Sequence, residues 1–354
     1  MTAQPTLQET TLLPLTGREE YLAAFKTRLA SKAWGKPIMI SGPAGIGKTT
    51  LLRAFEKIAQ DCGWPILADT ASPGLNQRIS KHLPLIYQTL TGGQRPPENQ
   101  SLSQALSLLA QQLHTREQGL LITIDGVNKQ AAQHLQELLG ASMLTTVQGL
   151  PLQLVLAGRG PGIRDFLALQ PQSLRKNMEK LDLSSLTRSQ TEQALRRAYE
   201  ACPKSAGRGC SLPDETLVRA ARATHGYPLM VHLVSEGMRR HALTQDPSEE
   251  QLNSELAAAQ ERLGTLVLEP LLAKLSGGDR AFLLAMAEDE GPSRMNSIAA
   301  RLGKTPQYAG VYRNRLVEAG IIRSASYGKV TFAIPHLRQY LRAHTEVEDS
   351  FSTF

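Results

Sequence analysis

The chain has 354 residues, of which 41% are hydrophobic and 20% charged, with a net charge of +7. That length predicts two or three domains of a globular protein rather than one core. No apolar run approaches the ~20 residues that span a bilayer, and "MTAQPTLQETTLLPLTG" lacks the basic start, apolar stretch and cleavage site of a secretory signal. A cytoplasmic protein is expected, with no membrane partner. Cys62, Cys202 and Cys210 are odd in number and fit no thiolate metal motif, so they read as reduced thiols.

The first strong signal along the chain is "PIMISGPAGIGKTT", Pro37 to Thr50. An apolar strand, Ile38 to Ile40, runs into Gly42-Pro43-Ala44-Gly45-Ile46-Gly47-Lys48-Thr49, which fits the eight-position phosphate loop at every fixed position. The three glycines let the backbone turn tightly and aim N–H groups at phosphate oxygens. Lys48 offers an ammonium to the β and γ phosphates, and the Thr49 hydroxyl can ligate Mg²⁺. The helix that begins here, through Thr50, points its positive end at the same anion and stops at Gly63. These residues predict a site for ATP and Mg²⁺.

A second strand is read at Pro65–Ala68, and "SLSQALSLLAQQL" carries leucines at helical spacing. "TGGQRPPENQ" between them reads as a solvent loop. "GLLITID" is an apolar, β-branched run ending in a single carboxylate, the pattern of a strand buried on both faces. Its Asp125 stands at the strand end where open α/β sheets bind ligands, and is read as the Walker-B acid that holds Mg²⁺ through water. Many nucleotide hydrolases carry next an acid that prepares the attacking water; this chain has Gly126. Asn128 is a candidate to orient a water, and His134 falls too far along the following helix to serve as a base. A further strand, "LPLQLVLAG", covers Leu150 to Gly158 and ends beside Arg159. The alternation of strand and helix predicts an α/β doubly wound parallel sheet.

The basic excess lies toward the end. From Ser276 to His344 ten basic residues face five acidic ones, a net +5, which argues for an anionic partner. One helix follows Ser276, a second is "NSIAARLG", and a third begins near Pro306 and ends at Gly320. "IIRSASYGKVTFAIP" then reads as two strands around a tight turn. Three helices and a hairpin predict a winged helix-turn-helix whose third helix enters the major groove of double-stranded DNA. On that helix Val311 and Leu316 are expected to pack inward. Gln307, Arg313 and Asn314 are left to read bases or phosphates, with Lys329 on backbone phosphate. The competing reading is a winged helix that binds protein.

Several motifs in this order carry a resemblance. "TGREEYLAAF" resembles the Gly-Arg-Glu box that precedes the phosphate loop in AAA+ and STAND-type ATPases, "LDLSSLTRSQTEQALRRAYE" the start of their helical lid, and Gly226-Tyr227-Pro228 their GxP element. Roughly residues 14 to 344 are similar to bacterial P-loop ATPases with an origin-recognition-like AAA+ module and a C-terminal winged helix. The division implied is an N-terminal extension (1–13), an AAA+ nucleotide-binding domain (14–183), an all-α lid (184–247), a helical connector (248–275), a winged helix (276–344) and a disordered tail (345–354). The resemblance implies that Arg18 and Glu19 flank the adenine and that Pro228 bears on the nucleotide from the lid. Arg159 then stands where a γ-phosphate sensor belongs, and Arg175 where an arginine finger reaches a neighbouring copy of a homo-oligomer. AAA+ enzymes usually carry Asp-Glu where this chain has Asp125-Gly126, so slow hydrolysis is expected: general-base assistance is typically worth about 10²–10⁴-fold. The sequence thus points to an ATP-binding switch that controls DNA binding. The alternatives are a STAND-like signalling scaffold whose winged helix binds protein, and an active ATP-driven remodeller.

Overall fold

The computed structural model describes residues 15–200, 212–241 and 248–344. The N-terminal extension, Cys202, Cys210 and the C-terminal tail lie outside the described residues. Two compact units emerge. One comprises Met1–Glu19, Ser185–Lys274 and Pro335–Tyr340, and the other Glu20–Ser184, Leu275–Ile334 and Leu341–Phe354.

The larger unit holds a parallel sheet. In chain order it contains α1 (Glu19–Ala30, whose first residue belongs to the smaller unit), β1 (Ile38–Ser41), α2 (Lys48–Asp61), β2 (Ile66–Thr70), α3 (Leu75–Thr91) and α4 (Leu102–His114). There follow β3 (Leu120–Val127), a 3₁₀ turn (Lys129–Ala131), α5 (Ala132–Val147), β4 (Leu152–Gly158), α6 (Gly160–Ala168), α7 (Gln172–Lys176) and β5 (Glu179–Asp182). The strands run in the order β2-β3-β4-β1-β5, all parallel. The sheet is covered on both faces. Leu120, Ile122 and Ile124 of β3 join a core shared with α3, α4 and α5, whereas the alternate residues Thr123 and Asp125 hydrogen-bond to Glu56 and Thr49 of α2. This is the period-two alternation of a buried strand. The cap chemistry explains the helix limits: Ser101 and Gln104 close a capping box on α4, and Gly63 turns left-handed (φ 74°) just past α2.

β5 was not among the expected strands. Three of the four residues of "EKLD" are charged and it has no apolar run; only its pairing along the edge of β1, from Ile38 with Glu179 to Ser41 with Asp182, makes it a strand.

The smaller unit is helical: α8 (Arg188–Glu200), α9 (Asp214–Ala223), α10 (Pro228–His241), α11 (Glu249–Leu263), a π turn (Gly264–Leu268) and α12 (Glu269–Leu272). Thr187 and Gln190 form the reciprocal pair that starts α8, and Ser248 with Gln251 does the same for α11. The larger unit also contains α13 (Gly277–Ala287), β6 (Ser293–Arg294), α14 (Met295–Arg301), α15 (Pro306–Glu318), β7 (Ile322–Ser326) and β8 (Lys329–Phe332). Their sheet is antiparallel in the order β6-β8-β7. The chain ends its described part in α16 (Leu337–Ala343).

Val311 of α15 is a correction. It is 55% exposed, while Ala309 and Leu316 are buried. Ala309 and Leu316 lie two turns apart on one face; Val311 sits two residues from Ala309, about 200° around the axis, and so points away.

Candidate functional site

The phosphate loop bridges β1 and α2. Gly42, Gly45 and Gly47 all have positive φ, and a side chain at Gly42 would meet Ile46 at 2.8 Å and the Leu183 carbonyl at 3.0 Å. The turn therefore needs glycine there for space as well as for its dihedrals. Lys48 Nζ donates to the Gly42 and Pro43 carbonyls at 3.0 and 2.6 Å. Burial lowers its pKa from the usual 10.5 to about 8; Asp125 opposes that shift and Arg159 adds to it. Arg159, exposed at the end of β4, makes no side-chain hydrogen bond among the described residues, and its charge is felt at Lys48.

Thr49 Oγ1 donates to Asp125 Oδ2 at 2.5 Å. Two hard oxygen donors at the mouth of a phosphate loop are what Mg²⁺ uses when it shares its coordination with phosphates and waters, so the pair fits that ion. Among the described residues no group of three or more His, Cys, Asp or Glu is placed to hold a metal by itself.

The end of β3 is irregular. Register against β4 slips between Ile124 and Val127, a bulge, and Gly126 within it has φ +78°. Its N–H donates to Asp125 Oδ1 at 2.7 Å. A Cβ there would have nothing within 4 Å, so the constraint on position 126 is backbone conformation and not crowding. Asn128 is spent on its own turn: Oδ1 accepts from the Ala131 N–H at 3.0 Å and Nδ2 donates to the Gly126 carbonyl at 3.1 Å. α6 lies close by, since a Cβ on Gly162 would meet Asn128 Cα at 3.3 Å. At the preceding residue of α6, a Cβ on Gly320, just past α15, would meet Pro161 at 2.8 Å.

With strand order, phosphate loop and Thr49–Asp125 pair in place, two parts of the chain match known families. Residues 14–156 match the AAA ATPase domain. The matched range includes the loop from Gly42 to Thr50 and Asp125, and the AAA ATPase family implies nucleotide binding. Residues 266–341 match a family described as a domain of unknown function (DUF8462). No curated protein matches the chain. Among solved structures, the ORC2 protein of Aeropyrum pernix in ADPNP–ADP complexes is similar at 14% identity over 94% of this chain and 93% of that one, with a TM-score of 0.62. Its ADP form gives 0.52 at 15% identity over 95% and 94%. The fold is thus an AAA+ fold of the ORC type. No helix among the described residues is long and apolar enough to cross a membrane.

The remaining expected residues fall in two groups. Arg18, Glu19 and Pro228 belong to the smaller unit. There a side chain at Gly17 would meet Leu186 and Gln190, and Glu19 pairs with Arg197 of α8 at 3.5 Å. Pro228 starts α10, after the left-handed residues His225 and Gly226. The Gly226 carbonyl accepts from the Leu186 N–H at 2.8 Å, and His336 holds the same loop by a 3.1 Å contact to the Thr224 carbonyl. Arg175 is exposed on the five-residue α7. In the C-terminal module Gln307 and Asn314 are exposed, Arg313 donates to Ser324 of β7 and to Asn314, and Lys329 stands opposite Arg294 across β8 and β6. Arg294 had no role assigned from sequence, because β6 is two residues long and carries no pattern; only strand pairing reveals the two adjacent cations.

Proposed function

We propose that this protein is an ATP-binding switch that hydrolyses slowly and whose nucleotide state controls a winged helix, residues 276–344, that binds double-stranded DNA. The observation that carries the first half is the end of β3: Asp125 is bonded to Thr49, and the next residue is a left-handed glycine where an acid is usual. Thr49 and Asp125 would hold Mg²⁺, which would offset the charge of the phosphates. Lys48, freed from the loop carbonyls, would bind the β and γ phosphates, and Arg159 would add a second cation at the γ end. Phosphoryl transfer depends mainly on such positioning, so loss of the acid slows turnover without preventing binding. Arg18, Glu19 and Pro228 are the residues of the smaller unit proposed to reach the nucleotide, with 184–247 as lid and 248–275 as connector. Arg175 is kept as a finger toward a second copy.

The DNA half is supported by how charges are spent in the C-terminal module. Arg301 pairs with Glu288 and Asp289, Arg315 with Asp279, and Arg342 with Glu290. Four of the five acids there are thereby neutralised by three arginines. The excess that remains includes Arg294, Lys304, Arg313, Arg323 and Lys329, on α15, on the strands or on the loop before α15. Arg294 and Lys329 face each other across a strand pair, an arrangement that costs stability unless an anion bridges it. The contact of Pro161 with the end of α15 gives a route from the Arg159 loop to this helix within one unit.

A protein-binding reading is favoured by one observation: Tyr308, Val311 and Tyr327 are 46%, 55% and 104% exposed on α15 and the wing tip. Duplex binding by fluorescence anisotropy, in ATP and in ADP and across salt concentration, separates the two. DNA binding predicts a salt slope that falls by about one for each of Arg294→Ala and Lys329→Ala. No duplex binding at low ionic strength in either nucleotide would leave the protein-binding reading standing.

A further inference from the structure

The polar groups around the end of β3 raise the question of what orients a water for attack. Gly126 offers no side chain, and both polar atoms of Asn128 are engaged within their own turn. The neighbouring strand β2 ends beside them. Its pairing sets Asp69 against Ile124 and Thr70 against Asp125, and Ala71 N–H donates to the Asp125 carbonyl at 2.8 Å. Residues directly paired in a parallel sheet point to the same face, on strands about 4.8 Å apart. Asp125 points to the α2 side, where it meets Thr49; Thr70 therefore points there too. Asp69 points to the other side and is held by Arg78 of α3 in a two-pronged pair, Nε to Oδ2 at 2.9 Å and Nη2 to Oδ1 at 3.0 Å. That carboxylate is not available on the Thr49 side.

Arg78 also fixes the turn that follows. It donates to the Thr70 carbonyl at 3.2 Å, to Ser72 Oγ at 2.8 Å and to the Pro73 carbonyl at 2.8 Å. Ser72 Oγ in turn lies 3.3 Å from Thr70 Oγ1. Whichever hydroxyl donates across that contact, Thr70 Oγ1 keeps at least one lone pair. The exposed Thr70 hydroxyl is thus a preorganised acceptor flanking Asp125, on a turn clamped by one arginine.

We propose that Thr70 takes over part of the missing acid's work: its hydroxyl accepts a hydrogen bond from the water that attacks the γ-phosphate and orients it, with Arg78 as the positioning residue. This rests on the ATP reading given above. In the step the water oxygen bonds to the γ-phosphorus while the bond from phosphorus to the β–γ bridging oxygen breaks. ADP leaves, the water's proton ends on the released phosphate, and Thr70 stays neutral. A hydroxyl cannot act as a useful base, so the gain over an unoriented water is modest, about tenfold for one hydrogen bond.

The test uses the full chain carrying Thr70→Val, which keeps the β-branched shape, and Thr70→Ser, which restores the hydroxyl. Affinities are measured for ADP, for a non-hydrolysable ATP analogue and for ADP with fluoroaluminate, whose bound water stands in for the attacking one; steady-state hydrolysis is measured alongside. For Thr70→Val the first two affinities should match the parent, the fluoroaluminate complex should weaken about tenfold, and kcat should fall about tenfold at unchanged KM. Thr70→Ser should restore both. Unchanged fluoroaluminate affinity and kcat in Thr70→Val would overturn the inference, as would a parent chain that binds ATP and never hydrolyses it. Failure of the parent chain to bind ATP would overturn the ATP reading itself, and this inference with it.

Discussion

Installing the acid that this site lacks, by Gly126→Glu, should not produce a fast ATPase. Position 126 has φ +78° inside a bulge, a conformation that costs an L-residue about 1–2 kcal/mol. Reduced freedom of the unfolded chain returns about 0.4–1 kcal/mol, which leaves a net destabilisation of about 1 kcal/mol. No clash adds to this, because a Cβ at 126 has open space. In a unit of this size the loss corresponds to a fall in melting temperature of about 2–4 °C. The left-handed residue also aims its Cα–Cβ bond away from the direction a regular strand would give, so the new carboxylate does not reach the water. Its rate gain should stay below about tenfold, against the 10²–10⁴ expected of a working base. Gly126→Asn, which tolerates the left-handed region better, should melt closer to the parent. The assays are thermal denaturation and steady-state phosphate release. A Gly126→Glu protein as stable as the parent, or one that hydrolyses more than a hundredfold faster, would refute the reasoning.

Lys48, with a pKa of about 8 in the free loop, should take up a proton when phosphates bind and raise that value. Calorimetry in buffers of different ionisation enthalpy should show uptake growing from about a tenth of a proton at pH 7 to about half at pH 8; uptake that stays flat with pH would contradict this. His336 is pushed down from 6.5 to about 4 by burial, opposed by the Thr224 carbonyl and reinforced by His225. The unfolded chain binds its proton first, so stability should be complete above pH 6.5 and fall by up to about 3 kcal/mol as pH drops to 4. His336→Gln should flatten that window in denaturant titrations, and an unchanged pH profile would exclude His336 as its source. Arg315→Ala leaves the buried carboxylate of Asp279 without its 2.6 Å partner, and should destabilise the C-terminal module by about 3 kcal/mol. Proteolysis that cuts that module no faster than in the parent would argue against it.

The phosphate loop was legible because its constraints are local: eight contiguous positions, a strand before and a helix after. Asp125 was legible from one rule, a lone carboxylate at the end of an apolar strand. The same rule applied to β2 would have drawn attention to Asp69-Thr70, but that strand's apolar run is short and its end is a string of small polar residues that also reads as a turn. Ser276, Gly303, Pro306 and Gly320 mark the ends of the C-terminal helices in sequence as they do in space. What could not be read depended on pairing. β5 owes its existence to the edge of β1, the bulge at Gly126 to a register slip against β4, and the Arg294–Lys329 neighbourhood to a two-residue strand. Asn128 illustrates a different limit: an amide suits a water or a cap equally well, and only its partners decide.

The strand order also bears on when, during synthesis, the chain can first hold a nucleotide. β1 emerges before every other strand, yet Ile38 pairs with Val155 on one side and Glu179 on the other. β2 and β3 can pair with each other well before that, whereas the strand that carries the phosphate loop must wait for the last segments of the sheet. Contacts so distant in sequence form slowly, because chain entropy is lost before they repay it. The cradle encoded nearest the N-terminus is therefore among the last parts of the sheet to be finished. A nucleotide that needs the finished cradle would then bind a completed domain and stabilise it by mass action, and would not seed its folding.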